Sequence, residues 1–357
     1  MNKQFTADEI RTAKEVHLYN GDILYIVDAN DEAYGFYRFG SGWYHKSNFW
    51  DYFESETMMS YFTSITKDEA AELYLSWCEL QHTANQRLDD AICFATDHHA
   101  GQTRKGTNIP YILHPLEVLQ ILYSMRADTE LLIAGVLHDT VEDTDATLDE
   151  IREHFGSDVA DLVASNNEDK SKTWEERKQH TIDTLPSVPY RVKQLILADK
   201  LANLRSIAYD FHNLGDRLWE RFNAPAQKQA WYYGGIDDAL STLQYHEECA
   251  DLYWEFNRLY KDVFVKYYLD EKEKTLHQIC LSGEHYCLRK SLPEFWISYE
   301  EYIAEEVSAQ IASFKKTTYE IRRYYSTRLS AGDMTQLSRK QAEHIEDEWC
   351  GQFTIGG

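Results

Sequence analysis

The chain has 357 residues, 43% of them hydrophobic and 14% aromatic, which is enough to build a packed core and excludes an intrinsically disordered protein. Its 60 acidic residues outnumber 36 basic ones and give a formal charge of −24, which repels nucleic-acid phosphates and anionic lipids alike. We therefore expect neither a nucleic acid nor a membrane as a partner. Because the N-terminus lacks a signal-peptide pattern, we expect a cytoplasmic protein.

Residues 1–84 have the pattern of a small α+β unit. The runs Ile23–Val27 and Tyr34–Phe39 are rich in aromatic and β-branched residues, which predicts short antiparallel strands. Helical patterns at Asp8–Val16 and Asp68–Leu80 flank these strands. No motif in this unit indicates catalysis.

Residues 85–245 are predicted to form consecutive helices and show no alternating strand pattern. The apolar run Leu131–Leu137 is hydrophobic on all sides, which predicts a buried helix. Thr147 and Thr173 each precede a Glu by three residues, the pattern of a capping box at a helix start. A longer helix is predicted over Pro189–Ile207. The predicted fold class is therefore mainly α, a helical bundle between two smaller regions.

Residues 246–357 are predicted to form a mostly helical extension, with helices over Leu252–Tyr268 and Tyr299–Arg328. Between them, the segment Cys280–Cys287 has the pattern of a β-hairpin with buried thiols. A zinc site is the alternative for four residues that lie within this region: His277, Cys280, His285 and Cys287. The usual spacings of zinc ligands favour the hairpin.

A group of ionisable residues directly follows the apolar run 131–137. Its members are His138, Asp139, Glu142 and Asp143. Such groups next to a buried helix are energetically unfavourable unless something binds them. A divalent metal supplies positive charge, and imidazole and carboxylate are its ordinary ligands. The alternative is a polar helix end that is exposed to water.

Two further segments favour the metal. In the predicted helix Pro189–Ile207, Asp199 and Asn203 share a stripe with apolar residues, and a buried carboxylate needs a counter-charge. His114 directly precedes Pro115 in an apolar setting at a predicted helix start. Taken alone, this histidine is better interpreted as a core or capping residue.

The segment His98–Leu116 indicates where an anionic substrate binds. Its 19 residues contain no Asp or Glu, whereas the average density of the chain predicts about three. It also contains Arg104 and Lys105. A second basic cluster, formed by Lys170, Lys172, Arg177 and Lys178, is given less weight because charge clusters on helices are usually solvated faces. In so acidic a protein, an acid-free segment is a suitable place for a phosphorylated ligand.

Four ordered motifs carry a resemblance to a known family. They are His99-x-x-Gln102-x-Arg104-Lys105, Pro110-Tyr111-Ile112-x-His114-Pro115, Leu137-His138-Asp139-x-Val141-Glu142-Asp143-Thr144 and Ala198-Asp199-Lys200-x-x-Asn203-Leu204-Arg205. With them, roughly residues 85–240 resemble the HD-domain alarmone hydrolases, the hydrolase half of the RelA/SpoT family, especially its stand-alone small members. The resemblance departs from the family pattern at Gly106–Ile109 and at Ser165–Asn167.

The resemblance implies an HD-domain helical bundle with a bound manganese ion (Mn2+). The implied metal ligands are His114, His138, Asp139 and Asp199. The implied catalytic pair, which orients or deprotonates the attacking water, is Glu142 and Asp143. The implied substrate-binding residues are Arg104, Lys105 and Asn203, with Ser206 at a neighbouring position of the pocket. Lys170 of the second basic cluster is a further candidate because of its charge.

The implied activity is removal of the 3′-pyrophosphate from guanosine tetra- or pentaphosphate (ppGpp or pppGpp), which yields GDP or GTP. The partner would thus be a small-molecule nucleotide. Two alternatives stay open at the level of sequence. One is hydrolysis of another phosphorylated nucleotide, such as an adenosine alarmone or the 2′-phosphate of NADPH. The other is a non-catalytic module that senses an alarmone or neutralises a partner.

Overall fold

The computed structural model describes residues 5–38, 43–46, 49, 59–166, 168–289, 292–298, 332 and 334–351. In these residues a helical region separates two antiparallel sheets along the chain. The mainly α fold class is therefore confirmed. None of the described helices is long and apolar enough to cross a bilayer.

The described part of the N-terminal region contains a short helix and five strands before the long helix that follows. Their bounds are α1 Ala7–Arg11, β1 Glu15–Tyr19, β2 Ile23–Val27, β3 Ala33–Tyr37, β4 Trp43–His45 and β5 Phe62–Thr63, in the sheet order β4-β3-β2-β1-β5. The predicted strands are confirmed, but the predicted helix over Asp8–Val16 is wrong in its second half. Val16 belongs to β1, because its segment pairs in register with β2 and this pairing outweighs the local helical pattern.

The helix α2, Lys67–His98, joins the first sheet to the bundle. Its first half buries Ala70 and Trp77 among the side chains of the sheet, while its second half buries Ala91 and Ala95 in the bundle core. The predicted boundary near residue 84 therefore falls inside a continuous helix, because one apolar face serves two cores in succession.

The bundle follows in chain order. Its helices are α3 Leu113–Ser124, α4 Thr129–Leu137, α5 Thr140–Asp143, α6 Leu148–Phe155, α7 Ser157–Ala164, α8 Trp174–Thr184, α9 Tyr190–Leu214, α10 Ala226–Leu240 and α11 Glu247–Phe264. Both predicted capping boxes, at Thr147 and Thr173, are present. Helices α3 and α4 approach closely at Gly135, where a Cβ atom would lie 2.4 Å from Leu122. This close approach packs α3 tightly against α4.

The C-terminal region contains a second five-stranded sheet. Its strands are β6 Val265–Asp270, β7 Thr275–Cys280, β8 His285–Arg289, β9 Leu292–Ser298 and β10 Thr335–Leu337, in the order β10-β6-β7-β8-β9, and α12 spans Arg339–Gly351. The predicted hairpin Cys280–Cys287 is confirmed as the β7–β8 connection.

The rest of the C-terminal prediction needs correction. The predicted helix Leu252–Tyr268 ends at Phe264, because Val265, Tyr267 and Leu269 alternate along one buried face of β6. A mostly helical extension is therefore wrong for the described part, which contains this sheet. The predicted helix Tyr299–Arg328 lies outside the described residues.

Candidate metal centre and substrate cavity

Three helix ends and one helix interior bring two histidines and two aspartates together. His114 lies in the first turn of α3, His138 and Asp139 connect α4 to α5, and Asp199 lies midway along α9. Asp199 Oδ1 lies 3.2 Å from His114 Nε2 and 3.7 Å from His138 Nε2. Asp139 Oδ2 lies 3.5 Å and 3.1 Å from the same two nitrogens.

These separations suit ligands that share one cation. Metal–ligand bonds of about 2.0–2.2 Å place neighbouring donors of an octahedral ion about 3 Å apart. His138 Nδ1 donates a hydrogen bond to the carbonyl oxygen of Gly135 at 2.8 Å, which orients the ring so that Nε2 faces the two carboxylates and is the nitrogen available to a metal. Within the described part of the chain, the buried Nε2 atoms of His114 and His138 have no hydrogen-bond partner. The donor set therefore fits a divalent metal.

The electrostatics of the centre also call for positive charge. Burial opposes protonation of His138, but Asp139 and Asp199 outweigh it and raise the pKa of this imidazole well above its usual value. Burial likewise opposes ionisation of both aspartates, yet the histidines, and Lys200 beside Asp199, hold their pKa values well below the usual range. Two ionised carboxylates at one buried point are stabilised more fully by a divalent cation than by a single proton.

Neighbouring side chains hold Asp199 in place. Asn203 Nδ2 donates to Asp199 Oδ1 at 2.6 Å, and Lys200 Nζ donates to Asp199 Oδ2 at 2.7 Å. Arg104 Nη2 in turn donates to Asn203 Oδ1 at 2.7 Å. Arg104 is thus connected through one amide to a carboxylate of the centre, so a ligand bound at Arg104 lies next to the candidate metal.

The two acidic residues predicted to be catalytic have different surroundings. Glu142 is partly buried, and burial, followed by the nearby carboxylates of Glu168 and Asp143, raises its pKa. Asp143 is exposed and accepts a hydrogen bond from Tyr111 Oη at 3.0 Å, while the same hydroxyl lies 2.7 Å from Asp139. A carboxylate with a raised pKa accepts a proton more readily, which favours Glu142 as the base.

A cavity of about 310 Å³ opens beside the centre and is lined by Glu142 and by His114, Asp139 and Asp199. Five basic side chains are among its described lining residues: Arg104, Lys172, Arg177, Lys178 and Lys200. Five acidic ones also line it: Asp139, Glu142, Glu168, Asp169 and Asp199. The lining is thus formally neutral in a chain of charge −24, and a divalent cation would make it positive.

Three of the predicted substrate-binding residues are not among the described residues that line this cavity. Lys105 Nζ donates to Asn223 at 2.8 Å, and Ser206 is exposed on α9. Lys170 is largely exposed and donates to the backbone oxygen of Glu142 at 2.5 Å. Arg104 and Asn203, by contrast, both line the cavity.

Sequence reasoning gave too little weight to a basic wall on α8. Arg177 and Lys178 line the cavity and contact Glu168. Their charges suggested a solvated helix face, but α8 carries few apolar residues that would reveal which side faces inward. Ser165 and Asn166, where the sequence departs from the family pattern, also line the cavity, whereas Asn167 lies outside the described residues.

Comparison with known proteins places this site in a recognised context. The HD domain family matches residues 91–219. A guanosine-3′,5′-bis(diphosphate) 3′-pyrophosphohydrolase, MESH1 of Xenopus tropicalis, is 43% identical over 121 residues, 33% of this chain and 68% of that protein. Human MESH1 is 42% identical over 124 residues, 34% of this chain and 69% of that protein. The Aquifex aeolicus 3′-pyrophosphohydrolase is 30% identical over 251 residues, 68% of this chain and 34% of that protein.

Proposed function

Because this chain belongs to the HD-domain family of guanosine-3′,5′-bis(diphosphate) 3′-pyrophosphohydrolases, we propose that it hydrolyses ppGpp and pppGpp to pyrophosphate and GDP or GTP. The observation that carries this proposal is the buried His114, His138 and Asp199 cluster at the wall of a charged cavity. A nucleotide with phosphates on both its 3′ and 5′ oxygens requires basic side chains for binding. Its hydrolysis requires a metal centre beside them.

We propose that His114, His138, Asp139 and Asp199 hold one divalent metal, and that this metal is Mn2+. Imidazole nitrogen and carboxylate oxygen are ordinary ligands of divalent first-row metals, manganese among them, and the family resemblance favours manganese. When bound, such an ion lowers the pKa of coordinated water and polarises a phosphoryl oxygen. Asn203 and Lys200 keep Asp199 oriented for this role through their hydrogen bonds.

The proton of the attacking water passes to Glu142, whose pKa is raised towards that of an effective base. The water oxygen bonds to the phosphorus attached to the ribose 3′ oxygen, and the bond between that phosphorus and the 3′ oxygen breaks. Glu142 returns the proton to the 3′ oxygen, which becomes the hydroxyl of GDP or GTP, and pyrophosphate leaves with the water oxygen. Asp143 holds the hydroxyl of Tyr111, which also contacts Asp139, so its role is to position the centre.

The basic lining residues bind and orient the substrate. Arg104 presents a guanidinium beside Asn203 and above the ring of Tyr111, at 5.7 Å from its centroid. This arrangement suits a phosphate contact combined with a base or ribose contact. Arg177 and Lys178 also line this cavity, and we expect them to bind a second phosphate group.

A nucleotide panel with metal analysis tests the proposal. The purified manganese form is assayed against ppGpp, pppGpp, an adenosine alarmone and NADPH, and we expect turnover of the guanosine substrates. His138→Ala and Asp139→Ala should each lose bound manganese and hydrolysis while keeping the helical circular dichroism. His99→Ala is the matched control, because His99 stacks on Tyr111 without contacting the centre.

Each of the other outcomes has a definite meaning. A preference for the adenosine alarmone or NADPH would overturn the proposed substrate but leave the proposed metal centre intact. Tight binding of ppGpp without turnover of any nucleotide would identify a sensor and overturn the hydrolase assignment. Full manganese occupancy in both the His138→Ala and Asp139→Ala proteins would overturn the ligand set.

A further inference from the structure

The second sheet contains another cluster of metal-ligating side chains. His277 on β7 pairs directly opposite Cys287 on β8, and His285 lies two residues before Cys287, so the three side chains share one face of the hairpin. His277 Nδ1 lies 3.0 Å from His285 Nε2 and 3.3 Å from Cys287 Sγ. Cys287 Sγ lies 3.9 Å from His285 Nε2. Three donor atoms therefore converge on one point.

The triangle of donors matches the size of a zinc site. Zinc bonds of about 2.05 Å to nitrogen and about 2.3 Å to sulfur place tetrahedral neighbours about 3.4 Å apart for two nitrogens and about 3.6 Å apart for nitrogen and sulfur. Each of the three observed separations lies within about 0.4 Å of that geometry. Little movement of the side chains is needed to close around an ion.

The burial of the three side chains favours a metal site over a group of polar side chains hydrated by solvent. His277 and Cys287 are 1% and 0% exposed, and His285 is partly buried. Hydrogen-bonded neighbours on both sides, β6 and β9, hold the hairpin, so the donors lie on a rigid framework.

Cys280 does not belong to this cluster. It lies three residues from His277, so its side chain projects from the opposite face of β7. There its Sγ contacts the hydroxyl of Tyr260 at 3.1 Å and that of Ser282 at 2.9 Å. The four-residue zinc alternative considered from sequence is thus reduced to three protein ligands.

We propose that His277, His285 and Cys287 bind a zinc ion that clamps the β7–β8 hairpin. One thiolate and two imidazoles are a softer donor set than the imidazole and carboxylate groups of His114, His138, Asp139 and Asp199, and softer sets favour zinc over manganese. Three protein ligands leave the fourth tetrahedral position to water or a small anion. The chain would then bind manganese at the first centre and zinc at the hairpin, each selected by its ligands.

Cobalt distinguishes the two centres by spectroscopy, because only the hairpin centre includes sulfur. The full-length chain is reduced, stripped with a chelator and titrated with Co2+. We expect one equivalent to produce a thiolate-to-cobalt charge-transfer band that added Zn2+ abolishes. The Asp199→Asn protein should give the same band, since Asp199 belongs to the other centre.

Two cysteine variants provide the matched comparison. Cys287→Ser should lose the charge-transfer band, and Cys280→Ser, a buried cysteine of the same hairpin, should keep it. As a second readout, Zn2+ should raise the melting temperature of the Asp199→Asn protein but not that of the Asp199→Asn/His285→Gln protein. His285 is partly buried, so this substitution disturbs packing least.

Two results would overturn the inference. One is the absence of any charge-transfer band from the native chain in excess Co2+, which needs no variant to fold. The other is a band of unchanged intensity in Cys287→Ser, which would assign the cobalt to a different cysteine. Neither result depends on nucleotide hydrolysis, so failure here is distinguishable from failure of the proposed function.

Discussion

Asp237 on α10 provides a quantitative test of how burial controls stability. The residue is 8% exposed, and Asn257 Nδ2 on α11 donates to its Oδ2 at 2.6 Å. Burial, aided by Asp238, raises the pKa of Asp237 to about 6, although Asn257 and Lys261 oppose the rise. Because the native state holds this proton more tightly than the unfolded chain, protonation stabilises the fold below about pH 4. That contribution is lost as the pH rises through 6.

The substitution Asp237→Asn removes the charge and keeps an acceptor oxygen for Asn257. At about 1.4 kcal/mol for each pH unit, the difference between the usual 3.8 and about 6 is worth about 3 kcal/mol. We therefore expect the variant to exceed the native chain in free energy of unfolding by up to about 3 kcal/mol at pH 8, and to match it near pH 4. Urea unfolding of both proteins across this pH range, followed by circular dichroism, measures the difference.

The neighbouring residue supplies the control. Asp238 is exposed on the same helix, and its own pKa is raised less far than that of Asp237, by partial burial and by Glu284, so Asp238→Asn should show a weaker dependence of stability on pH than Asp237→Asn. A stability difference between Asp237→Asn and the native chain that does not vary with pH would refute the reasoning. So would a native chain that is the more stable of the two at pH 8.

Two predictions concern the catalytic cavity. Glu142→Gln should retain manganese but lower kcat by about 10²–10⁴-fold, the range expected for lost proton transfer, and near-normal turnover would transfer the role to Asp143. Arg104→Ala should raise KM more than it lowers kcat and should weaken the dependence of KM on salt. Lys105→Ala should change KM and its salt dependence less, because Lys105 is hydrogen-bonded to Asn223 and is not among the described lining residues of the cavity. Unchanged KM and equal salt slopes for Arg104→Ala and the native enzyme would show that Arg104 is a solvated surface charge.

Local features of the fold could be predicted because their interactions lie close together in the sequence. The capping boxes at Thr147 and Thr173 each join residues three positions apart, so the pattern alone defines the contact. The buried helix α4 was likewise evident from its uninterrupted apolar run. Such elements depend little on the rest of the chain.

The features that sequence reasoning missed depend on distant partners. In the sequence, the helical pattern of α11 continues to Tyr268, but pairing of β6 with β7 begins at Val265 and ends the helix. Similarly, Arg177 and Lys178 had the pattern of a solvated face until the fold placed Glu168 beside them. In both places a contact made after folding outweighs the local propensity.

The candidate centre lies between these two cases. His114 and Asp199 are 85 residues apart, and periodicity could show only that each lies in an apolar setting. Nothing in the spacing joined them, so the family resemblance supplied the grouping. The structure brings Asp199 Oδ1 within 3.2 Å of His114 Nε2, while their function as metal ligands stays a prediction.

A chain of charge −24 can bind a polyanionic substrate because most of its described acidic side chains lie away from the cavity. At physiological ionic strength, interactions of exposed charges are screened beyond about 8 Å, so most of the surface acids contribute little inside the cavity. The described lining itself is balanced between five basic and five acidic side chains. Two of those acids, Asp139 and Asp199, belong to the proposed ligand set, and a divalent cation neutralises their charge. With the proposed ion bound, the five basic side chains would exceed the remaining acids by two, so we expect substrate attraction and catalysis to depend on the same ion.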